Sequence, residues 1–333
     1  GTGLWRRSGA LRWTVYMLLI FVVAPATLWV TLDAINRRNV EQKLQALRDA
    51  GQPVTMSELA PTPVPDDQNA AVLYQQVFRV DFDDPSWIQD SLLEATGHEH
   101  LIVYEFGIDG LKVDEARAVL NAPAILSMFE TLEQASALSN CVFPLRLGYG
   151  FVASLHLHRM REAALWVKAK ARLCAMDGDP DESLRWLGVI FRMADHASRG
   201  ATYDAQLTAN AIQRMGLTGL ERTLSQATPS AEATQALLEC LARLDVTEWS
   251  EKALQGERAT GIDMYAELRH PRPGHSLGAR FVRDPKMRLL YCYRFDICRP
   301  LYNADLSTYL TRMDKLVMHS AQVAARPETP PAP

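Results

Sequence analysis

The sequence predicts a mainly α-helical protein: an N-terminal transmembrane helix followed by an irregular array of antiparallel helical hairpins. Three observations carry this. Residues 13–32 run for 20 positions without a charge. Behind them, apolar residues recur at spacings of three and four through most of the chain, the period of helices buried on one side. Stop and start signals such as Gly178 followed by Asp179-Pro180 leave only a few residues between helices, which folds neighbours back on one another.

Composition sets the bounds. The 333 residues suit about two domains or one large one. With 48% hydrophobic and 22% charged residues the chain can bury a real core, which excludes wholesale disorder. Its 35 basic and 39 acidic residues leave a net charge of −4, without the basic excess that binding to nucleic acid requires. Five cysteines in this length do not make a disulfide framework.

The membrane segment, WTVYMLLIFVVAPATLWVTL, would span about 30 Å as a helix, the thickness of a bilayer's hydrocarbon core. Trp13, Tyr16 and Trp29 lie towards its ends, where amphipathic rings favour the headgroup region. Pro25 removes one backbone donor, a kink that membrane helices tolerate. The competing reading is a cleaved signal peptide with Arg6, Arg7 and Arg12 as its basic flank and Ala24-Pro25-Ala26 as a poor cleavage site. Apolar residues continue past that site through Leu28, Trp29, Val30 and Leu32, so a retained anchor is the expectation. The flanks carry three basic residues each (Arg6, Arg7, Arg12 against Arg37, Arg38, Lys43), so charge alone does not set the orientation. The short basic N-terminus resembles a signal anchor, so the bulk of the chain is expected on the periplasmic side of a bacterial inner membrane.

The rest divides into a basic flank (1–12), the span (13–32), a helical stalk and Pro-rich strap (33–66), a helical extracytoplasmic domain (67–325) and a Pro-rich tail (326–333). In the stalk, Ile35, Val40, Leu44 and Leu47 lie near one stripe, and Gly51 and Pro53 stop it. Span and stalk would form a rod of about 60 Å if unbroken, or two helices bent at Pro25 or at the membrane surface. Pro61, Pro63 and Pro65 make a semi-rigid strap. A helix is expected over 69–80, and another over 112–138 with an interruption at Asn121-Ala122-Pro123. Met160, Ala164, Val167, Ala171 and Cys174 form the stripe of the next, which stops at Asp177-Gly178.

Asp179 then serves as N-cap, Pro180 as the first helical residue and Glu182 as the third, an arrangement like a capping box. Leu184, Leu187, Phe191 and Ala194 are its stripe. Leu207, Ala211, Met215, Leu217, Leu220 and Leu224 are the stripe of the third helix. Thr228-Pro229 opens a fourth with Leu237, Leu241 and Leu244. The hairpin across Gly178 resembles tetratricopeptide-like (TPR-like) units, and a solenoid-like stack follows from it. The helices are longer than that repeat of about 34 residues allows, and no fixed period is present. Residues 291–298 (YCYRFDIC) suit a short strand or extended segment, and 306–323 return to helix.

The order of features, from QALRDAGQPVTMSELAPTPVPDDQNAAVLYQQVF (45–78) through CVFPL (141–145) and GDPDESLRWL (178–187) to QGERA (255–259), resembles a group of membrane-anchored, helix-rich bacterial proteins. That group carries no established activity. The resemblance therefore implies class and location, and brings no functional residues.

Signatures for phosphate loops, zinc hydrolases, redox CxxC pairs and serine hydrolases are absent. His98-Glu99-His100 lies in expected loop, an exposed polar stretch that at best chelates weakly. His156 and His158 diverge by about 200° on a helix and cannot share an ion. Asp195-His196, with Arg199 and Asp204, sits near a helix C-terminus, where a histidine favours the dipole; an acid–base pair is the alternative, though spacing identifies no nucleophile or third group. Glu251, Glu257, Arg258 and Asp263 share one helix, on which Arg258 is expected to pair with neighbouring carboxylates. Gly256 and Gly261 are expected to admit a closely packed helix, with approach of a ligand to bare backbone as the alternative. Cys174 and Cys240 read as core residues; Cys292 and Cys298 could form a disulfide if the chain turns between them. Arg280, Arg283, Lys286 and Arg288 form a basic patch, read as a solvated face or a contact for anionic headgroups or an acidic partner.

No catalytic, cofactor-binding or metal-binding residue is predicted. The expected role is a single-pass scaffold or accessory protein whose partners are other proteins and the lipid bilayer. The alternatives are a structural subunit of a large bioenergetic or secretion complex, with Ala24, Thr27 and Thr31 as a small-residue face, and a hydrolase whose site is invisible in sequence.

Overall fold

The computed structural model describes residues 12–78, 113–144, 155–244, 247–270 and 295–324. Of these, 84% are helical and none lies in a strand. The helices are α1 (Arg12–Asp49), α2 (Ala70–Phe78), α3 (Val113–Leu120), α4 (Pro123–Ala137) and α5 (Leu155–Met176). They continue as α6 (Pro180–Ser198), α7 (Tyr203–Gln226), α8 (Ala231–Ala242), α9 (Thr247–Arg269) and α10 (Arg299–Ala324). The chain divides into two compact units, whose described residues fall in 12–58 with 258–324, and in 59–257. The sequence reading instead separates 33–66 as a stalk and keeps 67–325 together; α10 is what redraws the line, because it pairs with α1.

In the first unit α1 is unbroken, so span and stalk form one helix. Pro25 leaves its mark as a π-helical turn over Leu19–Val23, closed by Ala24 N–H donating to the Leu19 carbonyl. A proline ring crowds the carbonyl four residues back and cannot donate to it, and widening the preceding turn relieves both problems without ending the helix. At its far end Gly51 adopts φ +67°, and Gln52 N–H reaches back to the Leu47 carbonyl at 2.9 Å. This left-handed cap satisfies end carbonyls at no steric cost to glycine.

From Asp33 onward α1 packs on α10. Asp33, Asn36, Val40, Lys43 and Leu47, spaced alternately three and four apart, face Asn303, Leu306 and Leu310, which share that spacing. Residue 36 meets 300, 33 meets 303, and 43 meets 307 and 311, so the two helices run parallel. The C-terminal half of α9 runs antiparallel to α10, with Arg258 at Asp314, Gly261 at Tyr309 and Tyr265 at Tyr302. Val40, Leu47, Val54, Ile262, Leu306 and Leu310 form the core. Ile35, placed on the stalk stripe by sequence, is exposed, because the seam runs through Asp33 and Asn36 instead.

The second unit is built around α6, which packs on α4, α5, α7 and α8. The turn before it works as the sequence implies. Gly178 takes φ +83°, Asp179 N–H donates to the Cys174 carbonyl, and the Asp179 carboxylate accepts from Glu182 N–H at 3.0 Å. The reciprocal half of the capping box is missing, since the Glu182 carboxylate is engaged by Arg185 and by Trp186 Nε1. Leu184, Leu187, Phe191 and Ala194 are all buried, and so are Met160, Ala164, Val167 and Ala171 on α5. Helices α6 and α7 are antiparallel: Ser183 meets Thr223, Leu187 meets Gly219 and Phe191 meets Gly216.

The structure also departs from the sequence-based expectation on α7, at the start of α8 and over residues 296–298. On α7 the predicted stripe divides: Leu207, Leu217 and Leu224 are about half exposed, Met215 and Leu220 pack partly against the core, and Ala205, Ala209, Ile212, Gly216 and Thr223 are buried. Small residues win the inner face because α6 already fills the space with Phe191 and Leu187, whose atoms lie 2.9 and 2.6 Å from where a Cβ on Gly216 or Gly219 would stand. Helix α8 starts at Ala231 with Ser230 as its cap, not at Thr228-Pro229, because the Ser230 hydroxyl takes Ala233 N–H. Residues 296–298 form a 3₁₀ turn leading directly into α10, not a strand.

Candidate functional site

The densest set of long-range polar contacts in the first unit lies where the uncharged run of α1 ends. Trp29 Nε1 donates to the Ile297 carbonyl at 2.6 Å, and the Arg299 guanidinium sits over the Trp29 ring, 5.2 Å from its centroid. One turn on, Asp33 is buried; its carboxylate pairs with Arg299 at 2.8 Å and accepts from Asn303 Nδ2 at 3.1 Å. Asn36 donates to the Pro300 carbonyl at 3.0 Å. Lys43 Nζ gives its three protons to the Ser307 carbonyl, the Ser307 hydroxyl and Thr311 Oγ1. An apolar seam tolerates a slip along the helix; a buried acid and a half-buried amide and amine that each need their own partner do not, so these contacts fix the register of α1 on α10.

On the other side of Trp29 the helix surface is bare. Trp13, Tyr16 and residues 17–23 are exposed, and Arg12–Asp49 is the one described helix long and apolar enough to cross a membrane. A signal sequence passes the same test of length and composition. Pro25 lies within the helix behind the π-helical turn. Thr27 and Thr31 direct their hydroxyls onto the Val23 and Thr27 carbonyls, each at 2.8 Å, so neither presents an unsatisfied hydroxyl to its surroundings.

In the second unit the histidines serve the core. His196 is buried, with Nδ1 at 3.0 Å from the Tyr74 hydroxyl and Nε2 at 3.0 Å from the Leu138 carbonyl. Since the carbonyl only accepts, Nε2 carries the proton and Nδ1 accepts from Tyr74. Burial pushes the His196 pKa down to about 4, and Arg199 adds to the effect. This corrects the expectation of a histidine interacting with the helix dipole: the ring is neutral, and its role is to join α2, α4 and α6. Asp195 pairs with Arg199 at 2.6 Å. His156 stacks on Phe143 at 4.2 Å, whereas His158 pairs with Glu162 at 3.0 Å, so the two diverge. Among the described residues no group of three His, Cys, Asp or Glu side chains is placed to hold a metal.

The acidic residues of α9 disperse. Glu251 accepts from Gln255, Glu257 from Tyr203 N–H at the start of α7, and Asp263 from Met56 N–H. Contrary to the expectation from spacing, Arg258 does not pair along its own helix, because that face of α9 turns inward onto α10. It is fully buried, donates to Asp314 at 3.1 Å, and has no partner for Nε or Nη2 among the described residues. Gly256 lies against the Ala201 carbonyl, where a Cβ would come within 1.4 Å; Gly261 lies against the Tyr309 ring. Both make room for protein.

Burial raises the Cys141 thiol to about 12 and the Cys174 thiol to about 11, and raises Cys240, so none is poised to react. Cys298 is half-buried beside Leu268 and Tyr302. Cys292, His98-Glu99-His100 and the basic patch Arg280, Arg283, Lys286 and Arg288 lie outside the described residues. Sequence reasoning missed the α1–α10 seam, whose signal was the matched three-four spacing of Asp33, Asn36, Val40, Lys43 and Leu47 with 303–310.

No protein family, curated protein or solved structure matches the chain.

Proposed function

We propose that this chain is a single-pass scaffold or accessory protein of a bacterial inner membrane. In this reading α1 is the anchor, and the helical bulk stands on the periplasmic side as an irregular, solenoid-like array of TPR-like hairpins that binds protein partners. The observation that carries the reading is the change of environment along α1: unpacked and uncharged before Trp29, sealed onto α10 after Asp33. A lipid-embedded anchor joined to a folded base has that pattern. Helical backbone at the candidate cleavage site, Ala24–Ala26, also favours retention.

The row Tyr203, Leu207, Leu217 and Leu224 on the outer face of α7, half exposed, supports protein binding, since grouped apolar side chains on one face suit burial against a partner. Two measurements test the proposal. Amino-terminal sequencing of the mature protein, with alkaline extraction of membranes, is expected to find residues 13–32 retained and the protein in the membrane fraction. Affinity purification in mild detergent is expected to recover a second polypeptide; recovery of the isolated chain alone overturns the scaffold role.

A further inference from the structure

Around the end of the uncharged run the chain leaves a second apolar surface in the open. Phe295, Ile297 and Leu301 are 62%, 74% and 61% exposed within seven residues, on the 3₁₀ turn and first turn of α10. Their depth along α1 is set by the Trp29–Ile297 hydrogen bond, which brings this turn level with Trp29, about 6 Å short of Asp33. Charges are interleaved with them and follow them: Asp296 pairs with Arg269, Arg299 sits over the Trp29 ring, and Arg37 and Arg38 are exposed about two turns past Trp29 on α1. Exposed apolar side chains level with an indole ring, with arginines at that level and just beyond it, make the profile of a membrane–water boundary.

We propose that Phe295, Ile297 and Leu301 form a second membrane contact, seated at the boundary of headgroups and acyl chains in the leaflet from which α1 emerges. The occupant is lipid, because the patch continues the exposed apolar surface of α1 at the level of its terminal tryptophan. Arg37, Arg38 and Arg299 suit the phosphates of anionic headgroups. The contact rests on the reading of α1 as a membrane span, and its consequence is to hold the α1–α10 pair at a fixed depth and tilt.

The test is photo-cross-linking of the full chain in nanodiscs of phosphatidylethanolamine and phosphatidylglycerol. Phe21→benzoylphenylalanine reports on the span, Phe295→benzoylphenylalanine and Ile297→benzoylphenylalanine on the patch, and Met318→benzoylphenylalanine on an exposed site about 30 Å further along α10. Phospholipid adducts detected by mass spectrometry are expected at 21, 295 and 297 and not at 318. Adducts at 21 with none at 295 and 297, or with equal yield at 318, overturn the second contact and leave the span intact. No adduct at 21 overturns both.

Discussion

The α6 core and the α1–α10 seam solve the same problem, holding helices together, by different means. Helix α6 is buried on nearly every side by apolar groups, among them Leu187, Ile190, Phe191 and Met193, all wholly enclosed. The seam buries few such residues and interleaves them with Asp33, Asn36, Lys43 and Asn303, each tied to a named partner. Close packing of apolar side chains gives the larger free energy; directional polar pairing gives a unique register. Where a helix must hold a fixed height relative to an apolar span, register is what matters.

The sharpest test of this contrast is a cavity in α6. Leu187→Ala is expected to lower stability by about 2–5 kcal/mol in chemical denaturation, because the filled space around Gly219 and Phe191 leaves little room for collapse. A loss below about 1 kcal/mol would mean the core is loosely packed.

The histidine network in that core offers the next. Neutral His196 is held with a folded pKa of about 4 against an ordinary value of 6.5. The unfolded chain therefore binds more protons between those values, and stability falls as pH drops from about 6.5 to about 4, being fully present above 6.5. The loss is expected to approach about 3 kcal/mol. His196→Gln should flatten that part of the pH–stability curve; an unchanged curve would show that His196 does not contribute.

In the seam, Asp33→Ala leaves Asn303 and Arg299 without their acceptor, at a cost of about 1–3 kcal/mol. Hydrogen exchange in 33–47 and 299–317 is expected to rise while α6 keeps its protection, which separates register from packing. The smallest effect belongs to the outer face of α7: Leu217→Gln is expected to change stability by less than about 0.5 kcal/mol, yet to reduce partner recovery if that face binds protein.

Much of the helix content was legible because stops and caps act locally. Gly51, Gly178, Asp179 and Pro123 each leave a steric or hydrogen-bonding signature within a few residues of themselves. Which face of a helix turns inward is not local information. On α7 the leucines promised the inner face, yet glycine and alanine took it, because the occupancy of that space was decided by Phe191 and Leu187 on α6. Arg258 shows the same lesson: spacing offered partners along α9, but the carboxylate it found is Asp314, 56 residues away.

The seam was hidden for a further reason. Lys43 enters the sequence reading only as a flank charge, and nothing near it or Asp33 in the chain announces Arg299, Asn303 or Ser307 as their partners, which lie more than 260 residues away. By itself the sequence determined the helical class, the position of the uncharged run and most helix ends, since each follows from chain-local sterics and the absence of charge. Only the tertiary structure decided which charges are buried and which leucines are bare, because burial depends on what the rest of the chain brings to each surface.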